Sequence, residues 1–72
     1  MKLTVLLGRN VRSARQLKGL SQEALAFEAG MKRSYLSDLE RGTRNPTVTA
    51  IERLALALDV EPSKLLTRES SG

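Results

Sequence analysis

The feature that most constrains this chain is a helix-period apolar pattern cut into short lengths by glycine. Leu7, Val11, Ala14 and Leu17 fall on one face of a helix that Gly19 ends near Lys18. Leu25, Ala26 and Ala29 form the inner face of a second helix, with Ser21 as its N-cap, Glu23 in its first turn and Gly30 at its end. A third helix is predicted from about Lys32 to Arg41, with Leu36 and Leu39 inward and Gly42 as terminator. Asn45 precedes Pro46 and so resists helix. Thr47 then caps a fourth helix whose stripe is Val48, Ile51, Leu54, Ala55 and Leu58. Asp59-Val60-Glu61 ends it, and Pro62 opens a short fifth turn closing in Leu65-Leu66. The fold class is all-α: one domain over residues 1–66 and a short polar tail over 67–72, expected to fray.

The spacing around Gly30 has a mechanical meaning. Two helices that cross steeply over a tight turn need a small side chain where they approach, here Ala26. They need a corner residue free to take positive φ, and apolar anchors on the second helix, here Leu36 and Leu39. The second helix then projects its outer face, and a major groove is wide enough to admit it.

Charge agrees with that use. Residues 1–44 carry nine Lys/Arg against four acids, and residues 45–72 carry three against four. The basic half suits a polyanion, although charge alone does not separate such a surface from a solvated basic face. With no histidine and no cysteine, the chain lacks the usual acid–base and thiolate chemistry, and it has no phosphate-cradling glycine loop. It reads as a non-enzyme with no cofactor, metal or small-molecule ligand. Two aromatics, Phe27 and Tyr35, are too few for single-strand stacking. The apolar run Leu3 to Leu7 is too short for a membrane span or a signal peptide, so the expectation is a cytoplasmic, nucleoid-associated protein.

The run Gly19-Leu20-Ser21-Gln22-Glu23-Ala24-Leu25-Ala26, then Ala29-Gly30, then Arg33 through Gly42, then Arg44-Asn45-Pro46, resembles the Cro/C1-type (XRE) helix-turn-helix family. The match extends from about Leu7 to Leu66. Within the family the run is close to the phage-repressor-like regulators and to the controller proteins of restriction–modification systems. The resemblance implies a compact five-helix domain that binds double-stranded DNA as a homodimer at an inverted repeat, with the third helix in the major groove. It implies base reading by Arg33, Ser34, Ser37 and Asp38. It implies phosphate contacts from Gln22, Arg44 and Asn45, with Tyr35 in reach of a phosphate through its hydroxyl. It also implies a salt bridge between Arg15 and Glu40.

The residues add detail. Arg33 can grip guanine O6 and N7 together, and Asp38 can accept from cytosine N4 or orient Arg33. Lys32 departs from the family pattern, which usually has Ser or Thr there. A lysine cannot cap, and its charge opposes the helix dipole, so its place is expected to be beside a DNA phosphate. Leu56 and Phe27 are surplus to the core. Leu56, Val60, Leu65 and Leu66 are the expected dimer interface, and Phe27 is expected to pack on the Leu3–Leu6 segment. Glu23 and Glu28 form an acidic patch that is a candidate contact for RNA polymerase. The alternative function is an antitoxin that neutralises a partner toxin and regulates its own operon. A chain this short carries no ligand-sensing domain, so control through protein concentration is expected.

Overall fold

A computed structural model describes residues 2–68. The elements are α1 (Leu3–Leu17), α2 (Gln22–Ala29), α3 (Arg33–Glu40), α4 (Val48–Leu58) and a closing 3-10 turn (Pro62–Leu66). Among the described residues there is no strand. The fifth element is thus a single 3-10 turn where the family resemblance implied a fifth helix.

Local chemistry sets most of these boundaries. Ser21 Oγ accepts from Ala24 N at 3.0 Å, and Thr47 Oγ1 accepts from Ala50 N at 3.0 Å, so α2 and α4 start on capping hydroxyls. Gly30 takes φ 68° and closes α2, with Met31 N donating to Ala26 O at 2.9 Å. α3 starts at Lys32 with no side-chain cap. Lys18 Nζ donates to Ala57 O at 3.0 Å, placing a cation on the exposed carbonyl end of α4.

The core gathers Val11 from α1, Leu25 from α2, Leu36 and Leu39 from α3, Leu54 from α4 and Leu65 from the 3-10 turn. Each helix contributes one side of a single cluster, so none is stable without the others. Asn10 fastens the chain end to α1: its amide donates to Leu65 O at 2.8 Å and to Thr67 O at 3.0 Å. Thr67 Oγ1 also donates to Ser63 O at 2.7 Å, so the expected fraying does not begin at residue 67. The rest of that tail, residues 69–72, lies outside the described residues.

Four apolar assignments are corrected. Leu17 is 90% exposed. Ten residues beyond Leu7, it has rotated about 80° off that stripe, onto a side of α1 that nothing covers at its last turn. Phe27 is 85% exposed and does not pack on Leu3–Leu6, because it stands about 200° round α2 from Leu25. Val48, the first residue of α4, is exposed at that helix's open end. Leu65 is only 1% exposed: it fills this chain's own core and is unavailable to a second subunit. Of the other residues expected at an interface, Leu56 is 79% exposed, Leu66 is partly so and Val60 packs against the core.

Gly8 has a role its sequence context hides. It lies inside α1, where glycine costs about 1 kcal/mol relative to alanine. A Cβ there would stand 2.5 Å from Leu39 O and 2.6 Å from Glu40 O. The glycine lets α1 approach the C-terminal end of α3 backbone to backbone. We therefore expect Gly8→Ala, which would stabilise an ordinary helix, to destabilise this protein by about 2–3 kcal/mol in urea unfolding. A neutral or stabilising result would mean that α1 and α3 do not meet as described.

Candidate nucleic-acid interface

α2, the Gly30 turn and α3 form a two-helix corner whose second helix leaves Arg33 and Ser34 exposed. Its pose is fixed from behind. Arg15 Nε donates to Glu40 Oε2 at 2.7 Å and Nη2 donates to Oε1 at 3.0 Å, a bidentate pair joining α1 to the last turn of α3. Arg15 Nη1 also donates to Leu20 O at 3.0 Å, just before α2. The side chains are 12% and 3% exposed, so this is an interior pair. Gln22 Nε2 donates to Glu40 Oε1 at 3.0 Å. Gln22, expected at a phosphate, is therefore also tied to this network, with one amide hydrogen left over.

The outer face of α3 carries Arg33 and Ser34, both exposed, and Ser37, half-buried. Among the described residues Arg33 forms no ion pair, so its guanidinium is uncommitted. Asp38 does not orient Arg33. Its carboxylate accepts from Arg41 at 2.7 Å and from Arg44 at 3.3 Å. Those two hydrogen bonds, Arg41 first, hold Asp38 below the ordinary aspartate pKa of 3.8, so it is charged at neutral pH.

Beside α3 lies an open cleft of about 580 Å³, lined by Lys32, Ser34, Tyr35, Arg44, Thr47 and Arg53 among others. Three cations and three hydroxyls from α3, the following loop and α4 meet there. The Arg44 guanidinium lies 4.5 Å from the Tyr35 ring centroid, a cation–π contact that holds both side chains at the cleft. Asn45 is exposed in the loop before Thr47, and Glu23 and Glu28 are exposed on α2. Sequence reasoning missed Arg53 and Arg41. Arg53 stands on the polar side of α4, and its spacing carries no sign that α4 flanks the start of α3. Arg41 stands three residues after Asp38, the spacing of a helical ion pair, and that signal could have found it.

Among the described residues no three or more acidic, histidine or cysteine side chains cluster as a metal site. Nor is any helix long and apolar enough to cross a membrane.

The corner, the interior Arg15–Glu40 pair and the basic cleft define a helix-turn-helix domain. The HTH_3 helix-turn-helix family model matches residues 11–65, and the chain belongs to that family. It is similar to control protein C.BamHI of Bacillus amyloliquefaciens, at 48% identity over 65 residues, 89% of this chain and 80% of that protein. Its fold is similar to the restriction–modification controller protein C.AhdI of Aeromonas hydrophila, with a TM-score of 0.84 and 50% identity, covering 86% of this chain and 94% of that one. It is also similar to SinR, the master regulator for biofilm formation, in a structure of SinR in complex with DNA. There the TM-score is 0.81 at 37% identity, over 85% of this chain and 98% of the other. These relatives are regulators rather than enzymes.

The interior pair yields a test. Removing one partner leaves the other buried and uncompensated, so Glu40→Ala should lose about 3–5 kcal/mol of unfolding free energy. Replacing both, with Arg15→Met and Glu40→Leu, should restore much of that loss. A single-variant loss below about 1 kcal/mol would place the pair among ordinary surface contacts.

Proposed function

We propose that this chain is a sequence-specific, double-stranded DNA-binding transcriptional regulator that acts as a homodimer on an inverted-repeat operator. The observation that carries the reading is the uncommitted Arg33 at the head of an outward-facing α3, flanked by a cleft of three cations. Arg33 reads a guanine edge, with Ser34 and Ser37 beside it on the same helix. Lys32, Tyr35, Arg44, Asn45 and Arg53 seat the DNA backbone, and the spare amide hydrogen of Gln22 meets a phosphate at the start of α2. A phosphate at Lys32 supplies the N-terminal cap that α3 lacks. Leu56 and Leu66, with the edge of Val60, supply the apolar patch for the second subunit, and Glu23 with Glu28 offers an acidic surface to RNA polymerase. Control proteins and transcriptional regulators among the relatives support this reading over the toxin-neutralising alternative, which no particular feature of the fold favours.

Two variants separate reading from seating. In fluorescence-anisotropy titrations, Arg33→Ala should lose about 1–3 kcal/mol on a preferred duplex and little on a mixed-sequence one. Lys32→Ser should weaken binding to both and reduce the slope of affinity against salt by about 1, while the better cap stabilises the free protein. If Arg33→Ala weakens both duplexes equally, Arg33 is only a phosphate contact. If Lys32→Ser leaves affinity and slope unchanged, the backbone seat is not at α3's start. Leu56→Asp should shift the protein toward monomer in sedimentation equilibrium, and an unchanged mass would remove the proposed dimer patch.

A further inference from the structure

Asp38 is the acid on α3 whose carboxylate meets the neighbouring arginines, and its main-chain carbonyl is bonded as well. Its carboxylate accepts from Arg41 Nη2 at 2.7 Å through Oδ1 and from Arg44 Nη2 at 3.3 Å through Oδ2. Its main-chain carbonyl accepts from Thr43 N and Thr43 Oγ1, both at 3.1 Å. The backbone of Asp38 thus fastens the loop after α3, while its side chain occupies that loop's two arginines. All three charged side chains stand at the surface, where ion pairs add little to stability, so folding does not account for them.

What a carboxylate offers these arginines is what a phosphate offers: anionic oxygens matched to a guanidinium fork. We propose that Asp38 is an internal stand-in for a DNA phosphate, occupying Arg41 and Arg44 in the free protein so that the DNA backbone gains them only by displacing its carboxylate. This rests on the DNA-binding reading above. On an unrelated duplex the displaced carboxylate is left beside phosphates with no donor, so the exchange is unfavourable. On a preferred site α3 sits deep enough for the freed carboxylate to accept from a base-edge amino group, and the exchange goes through. Asp38 is then a positioning residue that acts through two arginines and restrains binding to the wrong DNA.

Asp38→Asn removes the charge and keeps the main-chain bonds to Thr43, so the loop stays in place. Binding to a short mixed-sequence duplex and to a preferred duplex would be measured across a salt series, for wild type and variant. The same charge change would be made in a protein also carrying Arg41→Ala and Arg44→Ala. Asp38→Asn should tighten binding to the mixed-sequence duplex by about three- to tenfold, the range set by two exposed ion pairs that no longer need breaking. It should steepen the salt slope by about 1–2, as two more phosphates are neutralised. The gain on the preferred duplex should be smaller, and both gains should vanish when the arginines are absent. The inference is overturned if the gain persists without the arginines, which marks a general charge effect. It is overturned equally if Asp38→Asn leaves mixed-sequence binding unchanged or weaker. A wild-type protein that binds neither duplex overturns the DNA-binding reading as well, so the two failures are distinct.

Discussion

Arg15 meets Glu40 through two parallel hydrogen bonds inside the protein, and the pose of the outward-facing helix depends on that pair. Both carboxylate oxygens are used, and Gln22 takes a further bond to one of them. The third guanidinium nitrogen holds the carbonyl of Leu20 at the entrance to α2. One cluster therefore fixes the relative position of α1, α2 and α3. A buried pair of this kind is a poor source of net stability, since desolvation offsets most of its attraction. Its effect is registry: a shift or rotation of α3 would leave one charge without its partner. Gly8 completes the constraint by letting α1 reach the carbonyl end of α3 where any side chain would collide.

With its back held, α3 leaves its outer face open to solvent. Arg33 and Ser34 are exposed and Lys32 stands at an uncapped helix start. Tyr35 and Arg44 hold one another at the edge of a cleft to which α4 adds Thr47 and Arg53. The candidate interface is thus assembled from consecutive segments of the chain: the start of α3, the loop after it, and the cap and first turns of α4. Short helices and the corner at Gly30 bring them together.

Much of this was legible in the residues. The capping hydroxyls of Ser21 and Thr47, the left-handed corner at Gly30 and the proline that opens the 3-10 turn are local signals, and the chain obeys them. Helical periodicity also placed Leu25, Leu36, Leu39 and Leu54 in the core. It failed where the answer depends on what lies opposite. Periodicity gives a face but not the point at which its cover ends, so Leu17 and Val48 are exposed at helix ends. It gives no distinction between an apolar residue that fills its own core and one kept for a partner, so Leu65 changed sides. Of the two ion pairs of Asp38, the one to Arg41 has helical i,i+3 spacing and was open to sequence reasoning, whereas the one to Arg44 crosses a helix end into a loop, where no periodic rule applies. Arg53 reaches the cleft only because α4 packs on α2 beside the Gly30 corner.

On the proposed reading, paired copies of α3 read DNA sequence in successive major grooves. Selection of bound duplexes from a random pool by the purified protein, at near-physiological salt, tests it most directly. The expected result is enrichment of an inverted repeat whose half-site centres lie one helical turn, roughly 34 Å, apart. Retention of duplexes without enrichment of any sequence would contradict it, reducing the basic surface to an electrostatic contact.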